Sequence, residues 1–327
     1  MNRWWIGMLG ALVVVSAPYT LAPFYFYVLR ETLVFGLFAM SIDILLGFTG
    51  LWAFGQAGIF GTSAYVVGFL TSRTELPMVA TFAAGVLAAT IASLIFGALA
   101  IRTSEVYFGL ITLAEGMVVW GLAYRWTSVT GGENGIRGIG RSAVLESEQA
   151  YYWLVVAVVA GSAFLMYRIV HSPFGLSLQG LRESSSRMRA VGYTVWLHRL
   201  VGFVVAGFFS GVAGALYAFH NGYVSPTAVH VTPSIEGILM VILGGTGTLF
   251  GPLLGAGGIV FIRNIVSQYT ARWTMVMGAV FVLIVVLAPQ GIVGIARRLS
   301  ARRPGRDVEG VRGDTPEAVH VNETSTR

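Results

Sequence analysis

Apolar stretches of roughly membrane-spanning length follow one another along almost the whole chain, and no other feature limits its fold so severely. A bilayer core takes about 20 mainly apolar residues in a helix, and eight stretches qualify: 5–22, 32–49, 52–70, 77–100, 106–124, 150–170, 200–220 and 273–295. Hydrocarbon offers backbone amides and carbonyls no water, so such stretches span as helices that satisfy their own hydrogen bonds. Only 11% of the residues are charged, against about a quarter in soluble domains. No interval between stretches is long enough for a separate aqueous domain. The expected fold is an all-α integral membrane protein, a polytopic bundle of about eight transmembrane helices over 1–296, with a disordered cytoplasmic tail over 297–327. The first stretch has Arg3 ahead of it and Ala17-Pro18 at its end; without a convincing small-x-small cleavage pattern it reads as a span rather than a leader.

Orientation follows from arginine, because short cytoplasmic loops collect positive charge. Arg168, Arg182, Arg187, Arg189 and Arg199 stand against the single Glu183 in 168–199, and the tail opens with Arg297, Arg298, Arg302, Arg303 and Arg306. Both segments are expected in the cytoplasm. Counting back, the charge-balanced loop 125–149 falls outside and the N-terminus inside, so both termini are cytoplasmic. The surplus behind the net charge of +6 is therefore a topology signal, and nucleic acid is not an expected partner.

Parity then constrains 234–267. One crossing at 200–220 and one at 273–295 already return the chain to the cytoplasm, so the segment between must begin and end on the same side. It divides into apolar pieces 235–243 and 250–267 around Gly244-Gly245-Thr246-Gly247-Thr248, followed by Gly251-Pro252. At 1.5 Å per residue the first piece reaches about 13 Å, half a membrane. A re-entrant hairpin or broken helix is one reading, tolerable only if it is buried in protein or lines a water-filled path; a glycine-rich kink in two tilted helices is the other, and the crossing count stays open between eight and ten.

Two absences narrow the chemistry. The chain has no cysteine, hence no disulfide, cluster or thiolate metal site, and all 21 of its Lys and Arg residues are Arg. A phosphate-binding P-loop needs its Lys, so if ATP drives this protein another chain hydrolyses it, and no cofactor is expected here. His171, His198, His220 and His230 are too scattered for a metal site, and no nucleophile has an evident base beside it.

Asp43, Gln56, Glu115 and Glu236 fall within expected spans, where an ionised side chain at mid-depth costs a few kcal/mol. Singly, each is as readily explained by an arginine near a helix end, such as Arg102 or Arg263; together they point to a polar interior. With Thr246 they are the candidate substrate-path residues. Gly47, Gly50, Gly55, Gly58 and Gly61 crowd around Gln56; small residues serve close helix packing and also helix breaks at a ligand. The run Thr130-Gly131-Gly132-Glu133-Asn134-Gly135-Ile136 lacks the flanking strand and helix of a dinucleotide site and reads as a turn cluster. The stretch 172–192 is too helix-compatible for a plain connector: Leu178, Leu181, Met188 and Val191 give it an apolar side, with Arg182, Arg187 and Arg189 opposite. A helix lying along the membrane surface results, fit for docking a partner or for binding headgroups.

Taken together, Leu45–Ala57 (LLGFTGLWAFGQA), Tyr107–Ala114 (YFGLITLA), Thr130–Gly135, the 173–192 loop, Ser234–Met240 running into Gly244–Thr248, and Ala288–Gly291 (APQG) resemble the membrane-spanning permeases of branched-chain amino acid ABC importers, LivM-type. The motifs occur in family order from about 30 to 295. The resemblance implies a binding-protein-dependent importer in a bacterial cytoplasmic (inner) membrane. Its partners would be a second, LivH-like permease, two cytoplasmic ABC ATPases that bind the ATP, and a periplasmic or lipid-anchored substrate-binding protein delivering an amino acid. Residues 176–192, within a coupling loop of about 172–197, look like the coupling helix, with Arg182, Glu183, Ala190 and Gly192 as the residues that would meet the ATPase. Departures from the family pattern are Ser184-Ser185-Ser186 in place of a more acidic stretch, Ala53 for a common Ser, and Tyr193 for an aliphatic residue. The alternatives are the same machinery carrying urea, short amides or another small polar solute, and, in another class, an ion-coupled secondary transporter working without ATPases.

Overall fold

The computed structural model describes residues 22–103 and 105–270, with a few isolated positions outside those limits. The expected spans 5–22 and 273–295, both termini and the tail lie outside the described residues. Besides a single turn at Thr127–Thr130, the α-helices of the described residues are α1 (Pro23–Asp43), α2 (Gln56–Arg73), α3 (Met78–Ala100), α4 (Glu105–Arg125), α5 (Glu148–Val170), α6 (Pro173–Glu183), α7 (Ser185–Ala190), α8 (Val195–Asn221), α9 (Val231–Gly244) and α10 (Gly251–Tyr269). Two short strands, β1 (Ile136–Arg137) and β2 (Tyr223–Val224), pair antiparallel and tie the α4–α5 connector to the end of α8.

Among the described residues five helical segments are long and apolar enough to cross a membrane: Pro23–Thr49, Met78–Ala100, Tyr107–Arg125, Glu148–Val170 and Val195–Asn221. The expected bounds 77–100, 106–124, 150–170 and 200–220 agree with four of them closely. The first departs at its start: α1 begins at Pro23, nine residues ahead of the expected 32, because Pro at the first helical position favours initiation and the intervening Arg30 and Glu31 find partners inside the protein. The expected 52–70 also shifts, since residues 50–55 run without regular structure and α2 opens only at Gln56.

Burial sorts these helices into a centre and a rim. Of the most apolar window of Pro23–Thr49, 94% is buried, and of Val195–Asn221 72%, whereas the three remaining segments bury 28–33%. A helix apolar all round belongs inside or against lipid, and both cases occur here. Leu87, Ile91, Leu94 and Leu99 of α3 and Phe164 and Leu165 of α5 are exposed, giving the rim an apolar outer surface. In the centre, small residues bring backbones together: the Ser63 hydroxyl of α2 donates to the Gly211 carbonyl of α8 at 2.7 Å, and a Cβ on Gly58 would stand 3.0 Å from the Gly116 Cα of α4.

The segment 231–269 is an antiparallel pair. α9 is 14 residues long, about 21 Å, and α10 is 19. Their open ends lie at the end of the bundle that holds the β1–β2 ribbon, and the loop between them reaches the opposite end, where α6 packs. Both ends of the pair thus lie on one side of the bundle, and the glycine run is a true break rather than a kink: Gly245 and Gly247 have φ of 111° and 73°.

Candidate functional site

Two polar constellations occupy opposite ends of the α9–α10 pair. The first is at its tip. After Asp43 the chain of α1 widens into a π-helical turn, Ile44–Thr49, capped by Gly50 in the left-handed region (φ 76°). Such turns leave irregular hydrogen bonding and often sit at functional places. Here the widened turn lets Gly47 approach the tip loop so closely that a Cβ would overlap the Asp43 carboxylate and the Gly247 amide. Asp43 is fully buried, and its carboxylate accepts from Gly247 N at 2.8 Å and Leu249 N at 3.3 Å. Leu249 is the non-glycine residue among those described with positive φ (49°), a conformation that costs about 1–3 kcal/mol and persists only where its surroundings fix it. The Asp43 clamp is what fixes it.

From the other side, the Arg182 guanidinium of α6 donates to the Gly47 carbonyl, within electrostatic reach of Asp43. The surface helix is thereby joined to both the widened turn and the tip. α6 has the two faces expected of it: Leu178 and Leu181 are buried with Val195, and Met188 packs partly against them, under Phe174. Val191 departs from the expectation; it is 76% exposed because α7 ends at Ala190 and the chain turns at Gly192 (φ 96°). Glu183, Ala190 and Gly192 are all exposed on this surface.

The second constellation borders a cavity of about 590 Å³ in the half of the bundle away from α6. Phe35, Phe60, Trp120, Tyr124 and Tyr217 form aromatic walls, and Glu236 and Arg263 supply charge. Arg263 donates to Glu236 Oε2 at 2.9 Å and to Glu31 Oε1 at 2.6 Å, while Asn264 donates to Glu31 Oε2 at 2.7 Å. The guanidinium carbon lies 4.7 Å from the centroid of Phe35. Three helices are therefore pinned by one buried ionic group, a geometry in which each charge depends on its partners. The rim belongs to the glycine-rich connector: Glu133 lines the cavity, and Gly135 (φ 64°) passes so close to Val224 that a side chain would strike its carbonyl.

The five path candidates do not converge. Glu236 alone borders the cavity; Asp43 and Thr246 belong to the tip, where Thr246 is exposed. Gln56 and Glu115 belong to neither group, and both polar side-chain atoms of Gln56 and Oε1 of Glu115 are buried without a hydrogen-bond partner. Gln56 opens α2 where the Ser234 hydroxyl of α9 accepts from Ala57 N at 2.8 Å, so the end of the break at 50–55 is stitched to α9. Glu236 does pair with Arg263, the bland explanation for a buried carboxylate, and the pair nonetheless faces a cavity. Sequence reasoning missed Glu31 and the aromatic walls. Among the described residues no cluster of three or more His, Asp or Glu is arranged to hold a metal.

The family described as branched-chain amino acid transport system / permease component matches residues 24–285. The chain is similar to the high-affinity branched-chain amino acid transport system permease protein LivM of Salmonella typhimurium, 23% identical over 313 residues that cover 88% of this chain and 74% of that one. The same protein of Escherichia coli is 24% identical over 293 residues, 81% and 69% of the two chains. An autoinducer 2 import system permease protein, LsrC of Klebsiella pneumoniae, is 27% identical over 208 residues, 59% and 58%.

Proposed function

The chain belongs to the permease components of branched-chain amino acid transport systems, and from that premise we propose that it is a LivM-type subunit carrying branched-chain or related amino acids inward across a bacterial cytoplasmic membrane. As an ABC permease it is a transporter subunit and not an enzyme, and ATP hydrolysis falls to separate ATPase chains. The finer reading adds a LivH-like second permease, two such ATPases docked on α6 and α7, and a periplasmic or lipid-anchored receptor.

The single observation that carries the mechanism is the Arg182 contact with Gly47 beside the α9–α10 tip. In this reading the arginine-bearing surface of α6 and α7 faces the cytoplasm, as the positive-inside tendency favours, and the cavity half faces outward. Closure of the ATPases pushes α6; Arg182 transmits the push to the widened turn and, through Asp43, to the tip loop. Because α9 and α10 are packed against each other, movement at the tip swings their open ends, where Glu236 and Arg263 border the cavity. Access then alternates between the two sides. Gln56, with a buried and unpartnered side-chain amide, and Glu115, with Oε1 buried and unpartnered, are the residues this reading assigns to the solute path between the two sides.

Uptake of labelled leucine into vesicles carrying this chain with its candidate partner permease, ATPases and receptor tests the reading. Accumulation that needs both ATP and receptor is the expected result. ATPase stimulation only by a receptor loaded with another solute keeps the machinery and changes the cargo to urea, a short amide or another small polar molecule, a reading favoured by the similarity to an autoinducer importer. Uptake by this chain alone under an ion gradient overturns the proposal.

A further inference from the structure

The substrate relatives named above differ in chemistry, and the cavity has features that discriminate among them. Its volume of about 590 Å³ lies within the range of small-molecule sites, about 300–1,000 Å³. Its charged lining is Glu236 and Arg263 with Glu133 at the rim, and Thr227, His230 and Thr232 add neutral polar groups. Arg263 faces two carboxylates, Glu31 and Glu236, so the group carries one more formal negative charge than positive. Both oxygens of Glu31 are occupied, by Arg263 and Asn264. Glu236 has only Oε2 engaged, by Arg263; its Oε1 has no protein donor among the described residues, while the residue borders the cavity. An open carboxylate oxygen beside a guanidinium whose charge two carboxylates already balance is an acceptor waiting for a donor that carries positive charge, because charge-assisted hydrogen bonds are the strong ones. Trp120, Tyr124 and Tyr217 line the same cavity, and aromatic rings suit an apolar body and attract a cation.

We propose that this cavity is a solute-binding site selecting a primary ammonium group on a small apolar body, with Glu236 Oε1 accepting from the ammonium and the aromatic walls holding the side chain. Recognition runs through the ammonium rather than the carboxylate, since the single positive charge of Arg263 is already outweighed by the two carboxylates it pairs with. The inference deepens the importer reading and rests on it: an amino acid enters as an ammonium-bearing solute, and an N-acylated or sugar-like solute does not.

Trp120 on the cavity wall provides the probe. The assembled transporter without its receptor is titrated in nanodiscs with leucine, 3-methylbutylamine, N-acetyl-leucine and ribose, following tryptophan fluorescence, with Trp120→Phe assigning the signal. Leucine and 3-methylbutylamine should produce a saturable change that Trp120→Phe abolishes, and N-acetyl-leucine and ribose none. Glu236→Gln should weaken leucine at least about tenfold, the factor equivalent to 1.4 kcal/mol. Equal binding of N-acetyl-leucine or ribose, or no saturable change with either amine, overturns the site, and the wild-type series decides this even if Glu236→Gln fails to assemble. Receptor- and ATP-dependent uptake measured on the same preparation separates the two claims: if it persists while the amines do not bind, the site falls and the importer stands.

Discussion

The two ends of the α9–α10 pair hold buried charge in opposite ways. At the tip, Asp43 is satisfied by backbone amides of Gly247 and Leu249, and Arg182 reaches a backbone carbonyl. At the open end, Glu31, Arg263, Glu236 and Asn264 satisfy one another through side chains. Backbone partners move only when the backbone moves, so the tip suits a joint that transmits displacement. Side-chain partners can exchange for a ligand, so the open end suits a site that is occupied and emptied. A buried charge in a membrane protein is thus informative through the kind of partner it keeps.

The largest effect is expected where side chains depend on each other. Removing one member of a buried ionic group leaves an uncompensated charge and costs about 3–5 kcal/mol, while replacing the group by apolar residues is often close to neutral. Arg263→Met alone should therefore lower the thermal midpoint of the assembled transporter strongly, and Glu31→Met/Glu236→Met/Arg263→Met should recover most of the loss without recovering transport. A triple variant as unstable as the single one would show that the group acts through packing, and the contrast between the two ends would collapse.

At the tip no such rescue exists, because the partners are amides. Asp43→Asn keeps one acceptor and turns an amide donor toward Gly247 N or Leu249 N; losing a hydrogen bond to a charged group costs about 1.5–3 kcal/mol. Uptake should fall more than ATP hydrolysis, with the cavity's fluorescence response to leucine intact. If leucine binding is lost instead, Asp43 belongs to the solute path and not to the joint. Arg182→Ala removes the surface helix's hold on Gly47 and should uncouple similarly, at a smaller cost to stability because much of its side chain is exposed. Receptor-stimulated hydrolysis with tightly coupled uptake in that variant would leave α6 without the role assigned to it.

The sequence made the helices legible where apolar length alone decides, as in α3, α4, α5 and α8, and it located the glycine break between α9 and α10. It misplaced the start of α1, and that error hid the site. A span begun at 32 leaves Glu31 outside the membrane, and a carboxylate in a loop asks for no partner; only the fold shows it beside Arg263, 232 residues later. Asp43 was visible as a costly residue, but the amides that hold it cannot be read from a sequence, since every residue except proline has one. The aromatic walls were equally invisible: Phe35, Phe60, Trp120 and Tyr217 come from four different helices, and each alone resembles ordinary apolar content.

The smallest expected effect separates two glycines that share a left-handed backbone. Gly50 (φ 76°) caps the widened turn with the Arg182 Cγ 3.1 Å from where a Cβ would stand, and Gly192 (φ 96°) has nothing within 4 Å of that position. Alanine at Gly192 therefore meets only the backbone cost of a left-handed L-residue, about 1–2 kcal/mol, and should shift the thermal midpoint slightly; alanine at Gly50 adds a collision with Arg182 and should shift it more. Because Gly192 is exposed on the surface assigned to the ATPases, Gly192→Ala should also raise the ATP hydrolysed per solute moved, which a mere turn would not do. Unchanged stoichiometry in Gly192→Ala, with Gly50→Ala impaired, would confine coupling to the Arg182 contact and take the α7 end of the loop out of the joint.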